Sequence, residues 1–307
     1  MTQIAMTEPG PAGPARRLAR ALASAGALDR VPPGILLLLA IVSIQLSSGL
    51  ATFLFSSLGP AGTAFLTVAF SGAILTLAAR PRVDRRLVEA AGPVLLLGLA
   101  NAAMILPYFL ALERIPLGIV AAVAFLGPLG LAVATSRRFL HFAAIGVAAL
   151  GVALLTPDIG GRLDPLGVAL AGLVALAWAA SIPLTKAVGR KLPGYDGLTF
   201  GFWIASLLLL PLALAEGSMT HAGGLEIAGA LVVALLNAGL PGALEYRALQ
   251  RLSARSYGVL MTLEPAIGAL VGALMLGQAI TLRMSAAIAC VTLAALGITL
   301  LDREDAG

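Results

Sequence analysis

The chain has 307 residues, of which 59% are hydrophobic and only 11% charged, and its mean hydropathy is +0.99. A soluble domain carries about a quarter charged residues, so composition excludes an ordinary soluble enzyme and implies an integral membrane protein. The net charge of +5 and the pI near 10.0 do not point to nucleic acid, because the basic residues form short clusters between apolar runs and no continuous stripe.

Residues 1–32 are rich in Pro, Ala and Gly and carry Arg16, Arg17, Arg20 and Arg30. They lack the short apolar core and cleavage site of a signal peptide, so a disordered cytoplasmic tail is expected. A membrane-spanning helix needs about 20 predominantly apolar residues. On that criterion spans one to five fall near 34–55, 61–79, 91–112, 116–136 and 139–156. Spans six to ten fall near 166–188, 197–215, 224–244, 256–277 and 282–301, before a short cytoplasmic tail at 302–307. The expected fold is an all-α membrane protein with ten transmembrane helices.

Loop charge tests that count. With the amino terminus inside, the inner side holds the four tail arginines with Arg80, Arg82, Arg85, Arg86, Arg137, Arg138, Lys186, Arg190, Lys191, Arg247, Arg251, Arg255 and Arg303. The outer side holds only Arg114, Arg162 and Arg283. Adding or dropping one span would reverse every later loop and destroy this asymmetry, so both termini are expected in the cytoplasm of a multi-pass protein.

The chain repeats itself. Ala111-Leu112-Glu113-Arg114-Ile115 matches Ala248-Leu249-Gln250-Arg251-Leu252, and at the same offset Gly127-Pro128 falls on Glu264-Pro265. VAALGVALL from Val147 likewise matches LAALGITLL from Leu293. The match pairs span four with nine and five with ten. Five-span repeats, 33–157 and 165–301, must lie in opposite orientations, an architecture that places a transport site near the midplane.

Candidate site residues follow from their cost. Glu264 sits in the middle of span nine, where a carboxylate needs a partner, a proton or a cation. Gln45 brings an amide into hydrocarbon beside Ser47 and Ser48. Asn101 and Asn237 occupy comparable places in the two repeats, with interhelical hydrogen bonding the simpler reading. Trp178 lies at mid-span, away from the interface belts where Trp203 is expected, and is read as a cavity wall. Pro128 and Pro265 are expected to interrupt spans four and nine. Glu245, near the cytoplasmic end of span eight, is read as an interfacial acid paired with Arg247 or Arg251, with a coupling role as the alternative. Gly268 and Gly272 form a GxxxG pattern that close helix packing would explain.

Three absences narrow the function. No Lys follows a Gly, which removes a P-loop and with it sequence support for an ATP-driven pump. His141 and His221 are assigned to loops on opposite sides and Cys290 is the only cysteine, so no metal site or His-based catalytic centre is expected. No nucleophile has a convincing base, so the chain is not expected to be an enzyme. A passive channel remains open at this stage.

The stretches PLGIVAAVAFLGPLGLAVATSRR from Pro116, LAWAASIPLTKAVG from Leu176 and GLPGALEYRALQRLSARSYGVLMTLEPAIGALVGALMLGQ from Gly239 resemble the ten-helix drug/metabolite transporter superfamily with two EamA-type repeats. Together with SIQLSSGLATFLF from Ser43 they are most similar to its threonine and homoserine exporters of bacterial inner membranes. The resemblance implies secondary active export of a small polar metabolite, an amino acid in the first instance and a drug or other metabolite in the second. It implies no cofactor; the expected partners are the substrate, the lipid bilayer and protons, with a homodimer left open. Two residues depart from the exporter pattern: Ala124 stands where an acid precedes Phe-x-Gly-Pro, and Gln278 stands where Leu-Gly-Glu closes span nine.

Overall fold

A computed structural model describes residues 31–134, 146–147, 150, 164–192, 195–217, 222–249, 251–252, 257 and 260–301. The amino-terminal tail, nearly all of expected span five, His141, His221 and the last six residues lie outside these. The described residues are all-helical apart from their connections, and five of their helices are long and apolar enough to cross a membrane.

The first helix, α1 (Pro33–Ala79), contains two expected spans. Straight, its 47 residues would reach roughly 70 Å, more than twice the hydrocarbon thickness. Gly59 breaks it with φ 66° and ψ 165°, a backbone region essentially reserved for glycine, and Pro60 starts the second arm. The contacts of the two arms demonstrate the reversal. Ser43 and Ser47 of the first arm bond to Leu236 and Val233, so numbering there runs against the partner segment. In the second arm Leu66 packs with Ala230 and Ile74 lies beside Gly239, so numbering runs with it.

Next come the short α2 (Arg85–Glu89), capped by Asp84, then α3 (Ala91–Leu112) and α4 (Leu117–Ala134). The second half comprises α5 (Pro165–Gly189), α6 (Asp196–Glu216) and α7 (Gly224–Ala234). A π-helical turn, Leu235–Gly239, joins α7 to α8 (Leu240–Leu249), and α9 (Glu264–Leu276) and α10 (Leu282–Leu301) follow. Helix α3 packs on α5 and α6, α4 on α5, α9 and α10, and α1 on α6, α7, α8 and α9.

The two prolines behave differently. Span nine is interrupted at Pro265, as the sequence implies: Thr262 and Leu263 form a turn, and α9 begins at Glu264 with Pro265 in its first turn. Proline is tolerated there because the first N–H groups of a helix have no intrahelical partner. Pro128, by contrast, lies inside a continuous α4. What distinguishes that stretch is Gly127, where any Cβ would collide with the Ala175 carbonyl of α5.

The loops sort into two ends. Lys191 Nζ donates to the Glu89 carbonyl at 2.8 Å and Arg251 to the Val31 carbonyl at 2.9 Å, placing the basic loops at one end. At the other, Arg114 pairs with Asp164 at 2.7 Å and the Glu216 carboxylate accepts from Ala61 and Gly62 N–H at 3.0 and 3.1 Å. Among the described residues one large core runs through the centre, with Ala51, Ala64, Phe109, Leu112, Leu117, Ala171, Leu209 and Val271. Smaller clusters lie at both ends: Leu36, Leu37, Ile41, Leu244 and Ala248, and Val94, Leu97, Val188 and Leu192, at the arginine-rich end, and Leu58, Leu66 and Ala230 at the other.

Candidate functional site

Glu264 is 9% exposed, and its Oε2 has no hydrogen-bond partner among the described residues. Its place in the first turn of α9 follows from Pro265: an N–H is missing where the helix needs none, and an acid in that turn faces the positive end of the helix dipole. One turn on, Gly268 leaves the space that the Gln45 carboxamide fills, for a Cβ at Gly268 would collide with Gln45 Nε2. Gln45 is fully buried, and neither its Oε1 nor its Nε2 has a hydrogen-bond partner among the described residues. An unpaired buried amide or carboxylate oxygen costs about 1–3 kcal/mol. Two of them on touching elements are a polar locus that the protein itself leaves unsatisfied.

Around this locus stand Tyr108 of α3, whose hydroxyl pairs with Ser48, and Ala121 of α4, which lies against Gly268. Ser48 donates its own proton to the Ile44 carbonyl at 3.0 Å. Tyr108 and Glu245 both lie close enough to Glu264 for electrostatic interaction, and Tyr257 adjoins both acids. Glu245 thus lies within electrostatic reach of Glu264, and Arg251 donates to the Val31 carbonyl.

The other candidates take separate places. Trp178 is half-buried and meets Phe125 edge-on, with ring centroids 6.1 Å apart, so α4 and α5 together present an aromatic wall. Asn101 points its Nδ2 toward Gly201 of α6 and finds no hydrogen-bond acceptor among the described residues. Trp203 is 40% exposed and donates to Thr76 Oγ1 at 3.0 Å, as a belt residue would.

Asn237 lies in the π turn, a feature the sequence reading did not anticipate. There the Leu240 N–H bonds to the Leu235 carbonyl, five residues back, and Pro241 has no N–H to offer. The Leu236 carbonyl is thereby orphaned, and the Ser43 hydroxyl donates to it at 2.8 Å. The polar residues of span one therefore divide: Ser43 holds the π turn, Ser47 bonds to the Val233 carbonyl of α7, and Gln45 lies against Gly268 of α9.

Comparison with known proteins identifies the chain's relatives. The EamA-like transporter family matches residues 165–300. The threonine/homoserine exporter RhtA of Escherichia coli K12 is 33% identical over 286 residues, covering 91% of this chain and 96% of the exporter. The corresponding exporter of Salmonella typhimurium LT2 is 33% identical over 278 residues, covering 89% and 93%. A solved structure described only as "Crystal structure of protein" superposes with a TM-score of 0.57 at 20% identity, over 89% of this chain and 99% of that one, which speaks to the fold alone. A helical chain with this polar locus at its centre, alike over nine-tenths of its length to transporters, belongs to the EamA-like transporter family and is a multi-pass membrane transporter, not an enzyme.

Proposed function

We propose that this transporter is a secondary active exporter of a small polar metabolite, an amino acid such as threonine or homoserine, across the bacterial cytoplasmic membrane. The observation that carries the reading is the pairing of Glu264, with one carboxylate oxygen unpartnered, and Gln45, with a wholly unpartnered carboxamide. A substrate ammonium answers the carboxylate, and a substrate hydroxyl or carboxylate answers the amide N–H groups. Glu245, near enough to interact with Glu264, makes the locus more demanding of a cation. A proton serves that need when substrate leaves, so proton exchange is the proposed coupling.

Ten spans in two inverted repeats give this site its place. Helix contacts are consistent with that: exchanging the halves turns the packing of α3 on α5 into that of α1 on α7 and α8, and the packing of α4 on α5 into that of α9 on α1. Broken α9, with its half-helix end at the proposed midplane, is the kind of discontinuity from which transporter sites are built. Both termini are placed in the cytoplasm by the arginine asymmetry. Under the alternative, a drug or other metabolite carrier, the apolar Ala124 and the Phe125–Trp178 pair would receive an apolar substrate.

The experiment is counterflow in proteoliposomes preloaded with threonine, homoserine, an aromatic amino acid or a lipophilic amine. Selective exchange of a hydroxylated amino acid supports the first reading, exchange of the amine alone the second. Flux that only ever runs downhill, with no counterflow, identifies a channel and removes both.

A further inference from the structure

The two glycines of the GxxxG pattern in α9 each receive a carboxamide and not a neighbouring helix backbone. Gly268 receives that of Gln45, and Gly272 that of Gln278, whose Oε1 would collide with any Cβ there. Gln278 lies just after the left-handed Gly277 that ends α9. Its backbone N–H donates back to the Gly272 carbonyl at 3.1 Å, which fixes the side chain across the helix end. From there Oε1 accepts the Leu117 N–H at 3.1 Å, the first residue of α4. One side chain thus joins the arginine-poor ends of the two repeat-related helices. They also approach closely there, with Gly118 admitting no Cβ within 2.7 Å of Ala269.

This contact closes the arginine-poor ends of α4 and α9 on each other. We propose that Gln278 is a positioning residue of the transport cycle, an outer latch whose hydrogen bond to Leu117 holds α4 against α9 and keeps the Glu264 site closed toward the outside. The proposal rests on the transporter reading and on the arginine-poor end being outside. Release of this bond accompanies exposure of the site to the outside. Gly272 is part of the device, since only a residue without a side chain admits the carboxamide.

The latch is tested in whole cells with the full chain carrying Cys290→Ala and Val271→Cys. Val271 is buried on α9 and lies beside Gly49 of the first arm of α1, so a thiol there is shielded while the outer end is closed. The measurement is the rate of its alkylation by a membrane-impermeant maleimide added outside. Gln278→Ala is expected to speed alkylation about fivefold, the effect of one neutral hydrogen bond on a two-state equilibrium. Gln278→Glu keeps the acceptor and places negative charge at a helix amino terminus, so the rate stays at or below that of Gln278. Equal rates with Gln278 and Gln278→Ala, or a Gln278→Glu rate as fast as that of Gln278→Ala, overturn the latch. Should Gln278→Ala fail to reach the membrane, Gln278→Leu keeps the length and volume without an acceptor and is judged by the same criteria. Adding Glu264→Gln to each separates the two ideas. Export lost with alkylation still governed by residue 278 upholds both, while normal export with the same alkylation pattern sinks the site and spares the latch.

Discussion

Helices α4 and α9 are matched by the proposed internal repeat and do opposite things with the same position. At Gly127-Pro128 the chain spends its small residue on packing: the α5 backbone lies where a side chain would be, and α4 runs through the proline unbroken. At Glu264-Pro265 it spends the position on chemistry: the helix starts there, and the acid is left with an unpartnered oxygen. Ala124, buried one turn before Pro128, adds no charge to the first repeat. The two matched prolines therefore differ in what stands beside each: a glycine that admits the α5 backbone, and an acid at a helix start.

The difference can be broken from the packing side. Gly127→Ala is expected to destabilise the protein by about 3 kcal/mol or more, because backbone must move to admit the methyl. Its thermal midpoint in detergent falls sharply, while Glu264→Ala, which only removes atoms from an unsatisfied group, leaves the midpoint within a few degrees. Similar losses for both would erase the contrast between a packing position and a chemical one.

A second test sharpens the chemical side. Gln45→Ala removes the carboxamide over Gly268 and should weaken substrate binding about tenfold, read as a raised half-saturation constant in counterflow. Trp178→Ala opens the aromatic wall and should alter selectivity between amino acids more than expression. If both variants keep wild-type transport constants, the first arm of α1 and α5 do not line the site.

Ser43→Ala leaves the Leu236 carbonyl without its donor and should cost about 1–2 kcal/mol of thermal stability. Nearby Ser48→Ala, whose bond goes back to its own helix, costs less. The smallest effect belongs to Asp164, which is partly exposed at the start of α5. The Arg114 guanidinium, and then the Leu166 N–H, hold its carboxyl below the usual carboxylate range. Its contribution is present above the unfolded value of about 3.9 and fades as pH falls through the lower folded value. Arg114→Gln should therefore lower stability slightly at neutral pH, leave it unchanged once Asp164 is protonated in acid, and so flatten the acid limb of the stability–pH curve.

Much of this was legible in the sequence because hydrocarbon makes polar groups conspicuous. Glu264 and Gln45 stood out by cost alone, and the structure brings both together. Pro265 was read as interrupting a ladder, whereas a proline following an acid also marks a helix start, and α9 begins there. Tyr108 escaped notice because a phenol among apolar residues has no periodic signature, and its role depends on Ser48 lying opposite. The π turn was hidden because its cause is a register choice upstream of Pro241, resolved only by the Ser43 hydroxyl across the interface. Gln278 was noted only as a departure from the exporter pattern, since a contact from a loop to the start of a distant helix leaves no local trace.

The central claim is that Glu264 binds the transported cation, proton or substrate ammonium, and one substitution addresses it most directly. Glu264→Gln keeps shape and hydrogen bonding and removes only the negative charge and its titration. In proteoliposomes with an imposed pH gradient, the account predicts that uphill substrate movement falls at least tenfold. Exchange that persists without the gradient assigns the proton to Glu264, and exchange lost with it assigns the ammonium. Uphill transport at the wild-type rate would contradict both roles and leave this carboxyl with an architectural part.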